Sequence, residues 1–354
     1  MALSSFWNLS RLLPGERRAM PRRTVFGEFE GHPVEEVVLT SAEGVTVAIL
    51  NYGALVRDWR VPVDGTRRPV VLGFEEFPPY LADSAYFGAI CGRVGNRIGG
   101  ARFTLDGVTH RLDANEGRNH LHGGPKGSAK RLWTIRTLAE DSVTLTLHSP
   151  DGDMGYPGAL DLVLTYRLSG YTLELEWEAR TDQPTPVNII QHNYFNLMGH
   201  GDVLDHRLAV AGTAVTTLGD GQIPTGAIDP IAGTRLDFRA GRTMRDSDGA
   251  EIEIDNNFVL PTRRRREDPV GRLVAPDSSL TLEIFTDQPG LQIYNGWKIE
   301  PGAMGLNGEA YGRFAGVCLE DQNFPDAINH PHFPDCVATP QRPYRHWCAI
   351  AIRP

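Results

Sequence analysis

Leu160-Asp-Leu-Val-Leu-Thr-Tyr-Arg-Leu-Ser-Gly-Tyr-Thr-Leu-Glu-Leu-Glu-Trp177 decides the fold class. Leu160, Leu162, Leu164, Tyr166 and Leu168 recur at every second position. After Ser169-Gly170 the alternation resumes at Leu173, Leu175 and Trp177. A period of two places successive side chains on opposite faces of a strand. A small, pliable pair between two such runs reads as the turn of a long hairpin. Working outward, Val45, Val47 and Ile49 alternate with Thr46 and Ala48, and Val143, Leu145 and Leu147 with Thr144 and Thr146. Leu280, Leu282 and Ile284 repeat the pattern before Asp287-Gln288-Pro289-Gly290 turns the chain into Leu291 and Ile293. The best helical candidate, Glu75 to Ala85, is cut by Pro78-Pro79 and is confined to a turn or two. The 38 Gly and 25 Pro are spread evenly, as many strands joined by turns require. There is no linker, low-complexity tract or repeat of fixed period. The expectation is an all-β protein: one large antiparallel β-sandwich over residues 25–354, preceded by a poorly ordered tail at 1–24.

The 41% hydrophobic content supplies a substantial core for a chain of 354 residues. A net charge of −9 and a pI near 5.7 argue against nucleic acid or an anionic membrane as the main partner. The cations are 32 Arg and only 3 Lys, a coding bias rather than a sign of anion recognition. The dense basic run Arg263–Arg266 leads into Glu267-Asp268-Pro269 and reads as a solvated loop. Cys91, Cys318, Cys336 and Cys348 form no C-x-x-C pair, which disfavours a zinc cluster or redox dithiol and suits reduced thiols in the cytoplasm. No apolar run approaches the length of a membrane span. Near the N-terminus, Leu12-Leu13 is broken by Pro14-Gly15, so a secretory signal is not expected, and Met20 is a plausible alternative start.

The stretch richest in chemistry is Gly316-Val-Cys-Leu-Glu-Asp-Gln-Asn-Phe-Pro-Asp-Ala-Ile-Asn-His-Pro-His-Phe-Pro334. It begins as a strand with Val317 and Leu319 on one face and Cys318 and Glu320 on the other. Pro325, Pro331 and Pro334 cannot continue a central strand, so Glu320 sits on a rigid element beside an irregular loop. A lone Glu there reads as a solvated acid; crowding by Gln322, Asn323, Asn329, His330 and His332 favours a site. Asn119-His-Leu-His-Gly-Gly124 puts two histidines at i and i+2, a spacing that shares a strand face, beside glycines that admit a backbone or a ligand. Gly95-Asn-Arg-Ile-Gly-Gly100, Pro186 to Leu197 around His192, Ile254-Asp-Asn-Asn-Phe258 and Gly290 to Trp297 add amides, a guanidinium, an acid and aromatic rings. Singly, each has an ordinary explanation as a turn, cap or sheet residue. Together they are the set of groups that binds a polyhydroxylated sugar.

In order and wording, these segments resemble the aldose 1-epimerase (galactose mutarotase) family. The matching stretches are Gly92-Arg-Val-Gly-Asn-Arg-Ile-Gly99, Asn119 to Gly124, Pro186 to Leu197, Asp255-Asn-Asn-Phe258, Leu291-Gln-Ile-Tyr294 and Cys318-Leu-Glu-Asp-Gln-Asn-Phe-Pro-Asp326, spread over roughly residues 25 to 354. The resemblance implies a galactose mutarotase-like supersandwich and an isomerase that exchanges α and β anomers of hexoses such as galactose or glucose, without a cofactor or metal. By position, Glu320 matches the family's general base, His192 its general acid and His122 a second active-site histidine near the ring oxygen. Arg97, Asn96, Asp255 and Gln292 match sugar-binding positions. Asn256 departs from the family, which often has His there, and Asp321 and Asn193 stand where Thr and Ser are common.

The chemistry has its own logic. Opening a hemiacetal needs one proton removed from the anomeric hydroxyl and one given to the ring oxygen, so a carboxylate and an imidazolium on opposite sides of the sugar are expected. Arg97 and His122 would stabilise developing charge, while Trp297 or Phe195 would offer an apolar face. The partner is then a small aldose bound by a monomer or homodimer. Rival readings are a metal-dependent β-sandwich enzyme using His120, His122, His192 and Glu320, a glycosidase using Asp255 and Glu320, and a silent sugar-binding protein.

Overall fold

The hairpin runs in register from Leu160↔Thr181 to Ser169↔Thr172, with Gly170 in a left-handed conformation (φ +59°) at its turn. The structure, a computed structural model, describes residues 20–82, 85–302 and 304–354. The hairpin lies inside an eight-stranded antiparallel sheet whose order in space is Thr134–Leu138, Ser142–Ser149, Leu160–Ser169, Thr172–Thr181, Tyr344–Arg353, Thr281–Thr286, Gly271–Val274 and Arg207–Val210. A six-stranded antiparallel sheet follows the order Tyr194–Phe195, Val317–Gln322, Gly290–Tyr294, Asp255–Val259, Ala214–Leu218 and Pro224–Pro230. A five-stranded meander from Arg22–Phe29 to Thr66–Pro69 forms the third sheet. The one α-helix among the described residues is a turn or so at Pro78–Ala82.

Alternation explains how the sheets stack. Leu282 and Ile284 of the eight-stranded sheet join Leu291, Ile293, Val317 and Leu319 of the six-stranded sheet, and Val37, Val47 and Trp59 of the meander, in one buried cluster. Contact is close enough that a Cβ on Gly271 would lie 3.0 Å from the Leu291 Cδ2 and 3.1 Å from the Leu319 Cδ2. The turn Asp287–Gly290 carries the chain from one sheet to the other instead of closing a hairpin within one. This sends the polar faces of Gly290–Tyr294 and Val317–Gln322 away from the core.

Residues 1–19 of the expected tail lie outside the described residues. Residues 22–24 do not belong to a tail. Arg22 already pairs with Val38, and the Arg23 guanidinium donates to Glu35 at 2.9 and 2.7 Å, so the edge strand begins before residue 25. No helix among the described residues is long and apolar enough to cross a membrane.

Candidate active site

The polar face of the six-stranded sheet supplies the floor. Cross-strand pairing sets Gln292 opposite Glu320 and Asp255 opposite Tyr294, so these side chains rise on one face. Asn256 is opposite Ile293 and points the other way, so the residue that departs from the family lies behind Asp255 rather than beside it. Two short segments complete the walls. Arg97–Ile98 pairs with His120–Leu121. His122 N–H donates to Asn96 O (3.0 Å), and Asn96 N–H donates back to His122 Nδ1 (3.2 Å). The left-handed Gly123 (φ +82°) is required by backbone, not ligand: a Cβ there would lie 1.8 Å from Gly92 O. Ile190–Gln191 pairs with Ile90–Cys91, and the Gln191 amide donates to Leu319 O (2.6 Å), tying the His192 segment to the strand that carries Glu320.

These walls enclose a cavity of about 240 Å³, onto which Asn96, Arg97, His122, His192, Asp255, Gln292 and Glu320 all open. All seven residues expected from the sequence therefore meet. His192 Nε2 lies 3.9 Å from Glu320 Oε1, with the side chains 6% and 2% exposed. That spacing corrects the expectation of groups on opposite sides of the sugar, because no pyranose fits between them. The anomeric and ring oxygens are bonded to one carbon, and a side-by-side pair can reach both from one edge.

Burial pushes the Glu320 carboxyl well above the usual carboxylate range, with Asp255 and Asp321 pushing the same way and Arg97 opposing. Burial also pulls His192 down to about 4. Both are driven toward their neutral forms, which together hold one proton, as many as the carboxylate–imidazolium pair expected from the sequence. Glu320 Oε2 is buried without a hydrogen-bond partner, which is costly for a polar atom unless a ligand supplies one. His122 is held far below its ordinary value by burial and by neighbouring His192 and Arg97. Since its Nδ1 accepts from Asn96, the neutral ring carries its proton on Nε2 and can donate there.

Around this pair, Arg97 forks onto Glu116 (Nε–Oε2 and Nη2–Oε1, both 2.7 Å) and donates from Nη2 to Gln222 Oε1 (2.9 Å). Asp255 accepts from Gln292 (2.7 Å) and Gln222 (2.9 Å) and lies 3.6 Å from Lys298 Nζ. The aromatic walls are Tyr86, Tyr194 and Tyr294. Tyr194 lies against the His192 ring at 5.1 Å, and Tyr86 against His122 at 4.8 Å.

Three expectations fail. Phe195 is fully buried in the core, and Trp297 packs against that core rather than lining the cavity. His120 does not share a face with His122. Its Nδ1 meets Asp113 O (2.7 Å) and its Nε2 meets Tyr156 OH (2.8 Å), because the chain leaves the strand at His122 in a left-handed conformation (φ +52°). The His-x-His metal set therefore does not assemble. The group able to offer three ligand atoms, among the described residues, is His192, Cys318 and Glu320, within 4.8 Å of one another. Burial, with Glu320 and Asp255 nearby, pushes the Cys318 thiol well up. Sequence reasoning missed Glu116, Tyr86, Lys298 and Gln222. Lys298 follows the quoted Trp297 and Glu116 precedes Asn119 by three residues, but nothing local marks Tyr86 or Gln222.

A family model described as aldose 1-epimerase matches residues 35–351. The chain is 40% identical over 343 residues to a galactose mutarotase of Rattus norvegicus, covering 93% of this chain and 98% of that one. It is 33% identical over 326 residues to an aldose 1-epimerase of Escherichia coli, covering 89% and 94%. Among solved structures, an aldose epimerase homologue from C. elegans superposes with a TM-score of 0.85 at 28% identity, over 90% of this chain and 98% of that one.

Proposed function

The chain belongs to the aldose 1-epimerase family, and from that membership we propose how its residues exchange the α and β anomers of hexoses such as galactose or glucose. Glu320 is the general base and His192 the general acid. Glu320 takes the proton of the anomeric hydroxyl while His192 gives one to the ring oxygen. The C1–O5 bond breaks with its electron pair going to O5, and C1 becomes a carbonyl. Rotation about C1–C2 presents the other carbonyl face. O5–H then adds to C1 and both protons return, so each group serves once as acid and once as base. Burial favours the neutral pair with its one proton on Glu320, so that proton passes to His192, 3.9 Å away, before Glu320 acts as base and His192 as acid. The Nε2–H of His122 donates to the ring oxygen as charge develops there, and Arg97 adds positive potential. Arg97, with Asn96, Asp255 and Gln292, also holds the hydroxyls that do not react.

What supports these roles is the 3.9 Å approach of two buried ionisable groups in one polar cavity, with a carboxylate oxygen left unpaired. We further infer that the protein works in the cytoplasm, in keeping with four widely spaced cysteines that form no C-x-x-C pair, as a monomer or homodimer acting on a small sugar rather than on nucleic acid or a membrane. Polarimetry tests the roles. Freshly dissolved α-galactose and α-glucose reach rotational equilibrium faster with the protein, and Glu320→Gln or His192→Asn loses roughly 10²–10⁴-fold of that acceleration. Near-normal activity in Glu320→Gln removes Glu320 from its role. Retention in His192→Asn reassigns protonation of the ring oxygen, with His122 the next group in reach.

A further inference from the structure

Gln222 has no place in the reaction as described, yet its side chain joins three walls of the cavity. It ends a single 3-10 turn, Asp220–Gln222, between two strands at the edge of the six-stranded sheet, in a left-handed conformation (φ +59°) unusual for a residue with a Cβ. Its Oε1 accepts from Arg97 Nη2 (2.9 Å) and from Lys298 Nζ (2.5 Å), and its Nε2 donates to Asp255 Oδ2 (2.9 Å). These partners fix which end of the amide is oxygen: two cations meet the acceptor and one carboxylate meets the donor. Every strong hydrogen-bonding direction toward the site is thus matched in charge.

We propose that Gln222 is a positioning residue for sugar recognition, holding Arg97 and Asp255 at the separation that receives the sugar's unreactive hydroxyls. The inference rests on the functional reading above and adds a residue to it. Without the amide, Arg97 keeps its fork to Glu116, and Asp255 keeps Gln292 and the 3.6 Å approach of Lys298. Among the described residues no other side chain bridges Arg97 and Asp255 directly, so the two would drift toward those separate partners or toward each other. Gln222 makes no hydrogen bond to Glu320 or His192, so its removal acts chiefly on sugar affinity and reaches proton transfer only through a displaced Arg97.

The test is steady-state mutarotation of galactose, with galactose affinity measured independently by calorimetry, for the wild-type protein, Gln222→Ala and Gln222→Glu. A charge-assisted hydrogen bond carries enough energy that losing the bridge raises KM and Kd about tenfold or more, while kcat, which Arg97 also supports, falls by less than that. Gln222→Glu keeps acceptors for the cations but sets an anion against Asp255, and it is expected to weaken affinity as well. Loss of protein stability alone would lower the active fraction and leave KM and Kd unchanged, and that result overturns the proposal. A fall in kcat at unchanged KM overturns it too. If the wild-type protein binds galactose without accelerating its mutarotation, the functional reading fails, and the Kd values alone decide the role of Gln222.

Discussion

Glu320 carries the sharpest conflict between function and stability in the molecule. Its carboxyl is fully buried, raised by that burial and by Asp255 and Asp321, and lacks a partner at Oε2. A folded-state pKa above the unfolded one means that the unfolded chain releases this proton first. The folded state therefore loses stability as pH rises from the unfolded value near 4.5 through the folded one. Glu320→Gln keeps the shape and removes the ionisation. Its unfolding midpoint in urea is expected to lie close to wild type below pH 4.5 and to exceed it increasingly as pH rises, even as activity is lost. Equal midpoints at pH 7 would show that Glu320 is not strained by its burial. The identity of this residue was legible in its motif, but its protonation was not, because desolvation depends on what the fold stacks over it. Asp321, the next residue, makes the point. It points to the other side, where His346 Nε2 (2.5 Å) and Thr286 (2.6 Å) meet it, and these contacts hold its carboxyl below the usual range against the effect of burial.

The strand Val317–Gln322 shows how one element separates stability from chemistry. Val317 and Leu319 belong to the core shared with the eight-stranded sheet, whereas Cys318 and Glu320 face the cavity side. Leu319→Ala removes apolar contact from a fully buried position and is expected to cost about 2–5 kcal/mol in denaturant unfolding. The position of Glu320 is held by its pairing with Gln292, so kcat of the molecules that remain folded should change little. A large loss of kcat together with small destabilisation would contradict this division. Strict alternation made this element readable in advance. The segment Asn119–Gly124 was misread at the same level, since i, i+2 spacing predicts a shared face only while the chain stays extended, and His122 is where it stops being so.

At the scale of the whole molecule, the core runs without a break from the meander through both larger sheets. We expect residues 22–354 to unfold as one unit, with tryptophan fluorescence and far-UV circular dichroism giving coincident urea transitions; two separated transitions would divide the sheets into independent domains. The sequence by itself determined the strands, their two-faced character and the motif positions of Glu320, His192, His122, Arg97, Asn96, Asp255 and Gln292, since alternation and local wording are properties of neighbours in the chain. Only the tertiary structure decided that His192 lies beside Glu320 rather than across a sugar, that His120 leaves the site, that Tyr86, Tyr194 and Tyr294 replace Trp297 and Phe195 as its aromatic walls, and that Gln222 bridges Arg97 and Asp255. Those facts depend on distances between residues up to about two hundred positions apart, which the packing of one sheet on another sets and no local pattern encodes.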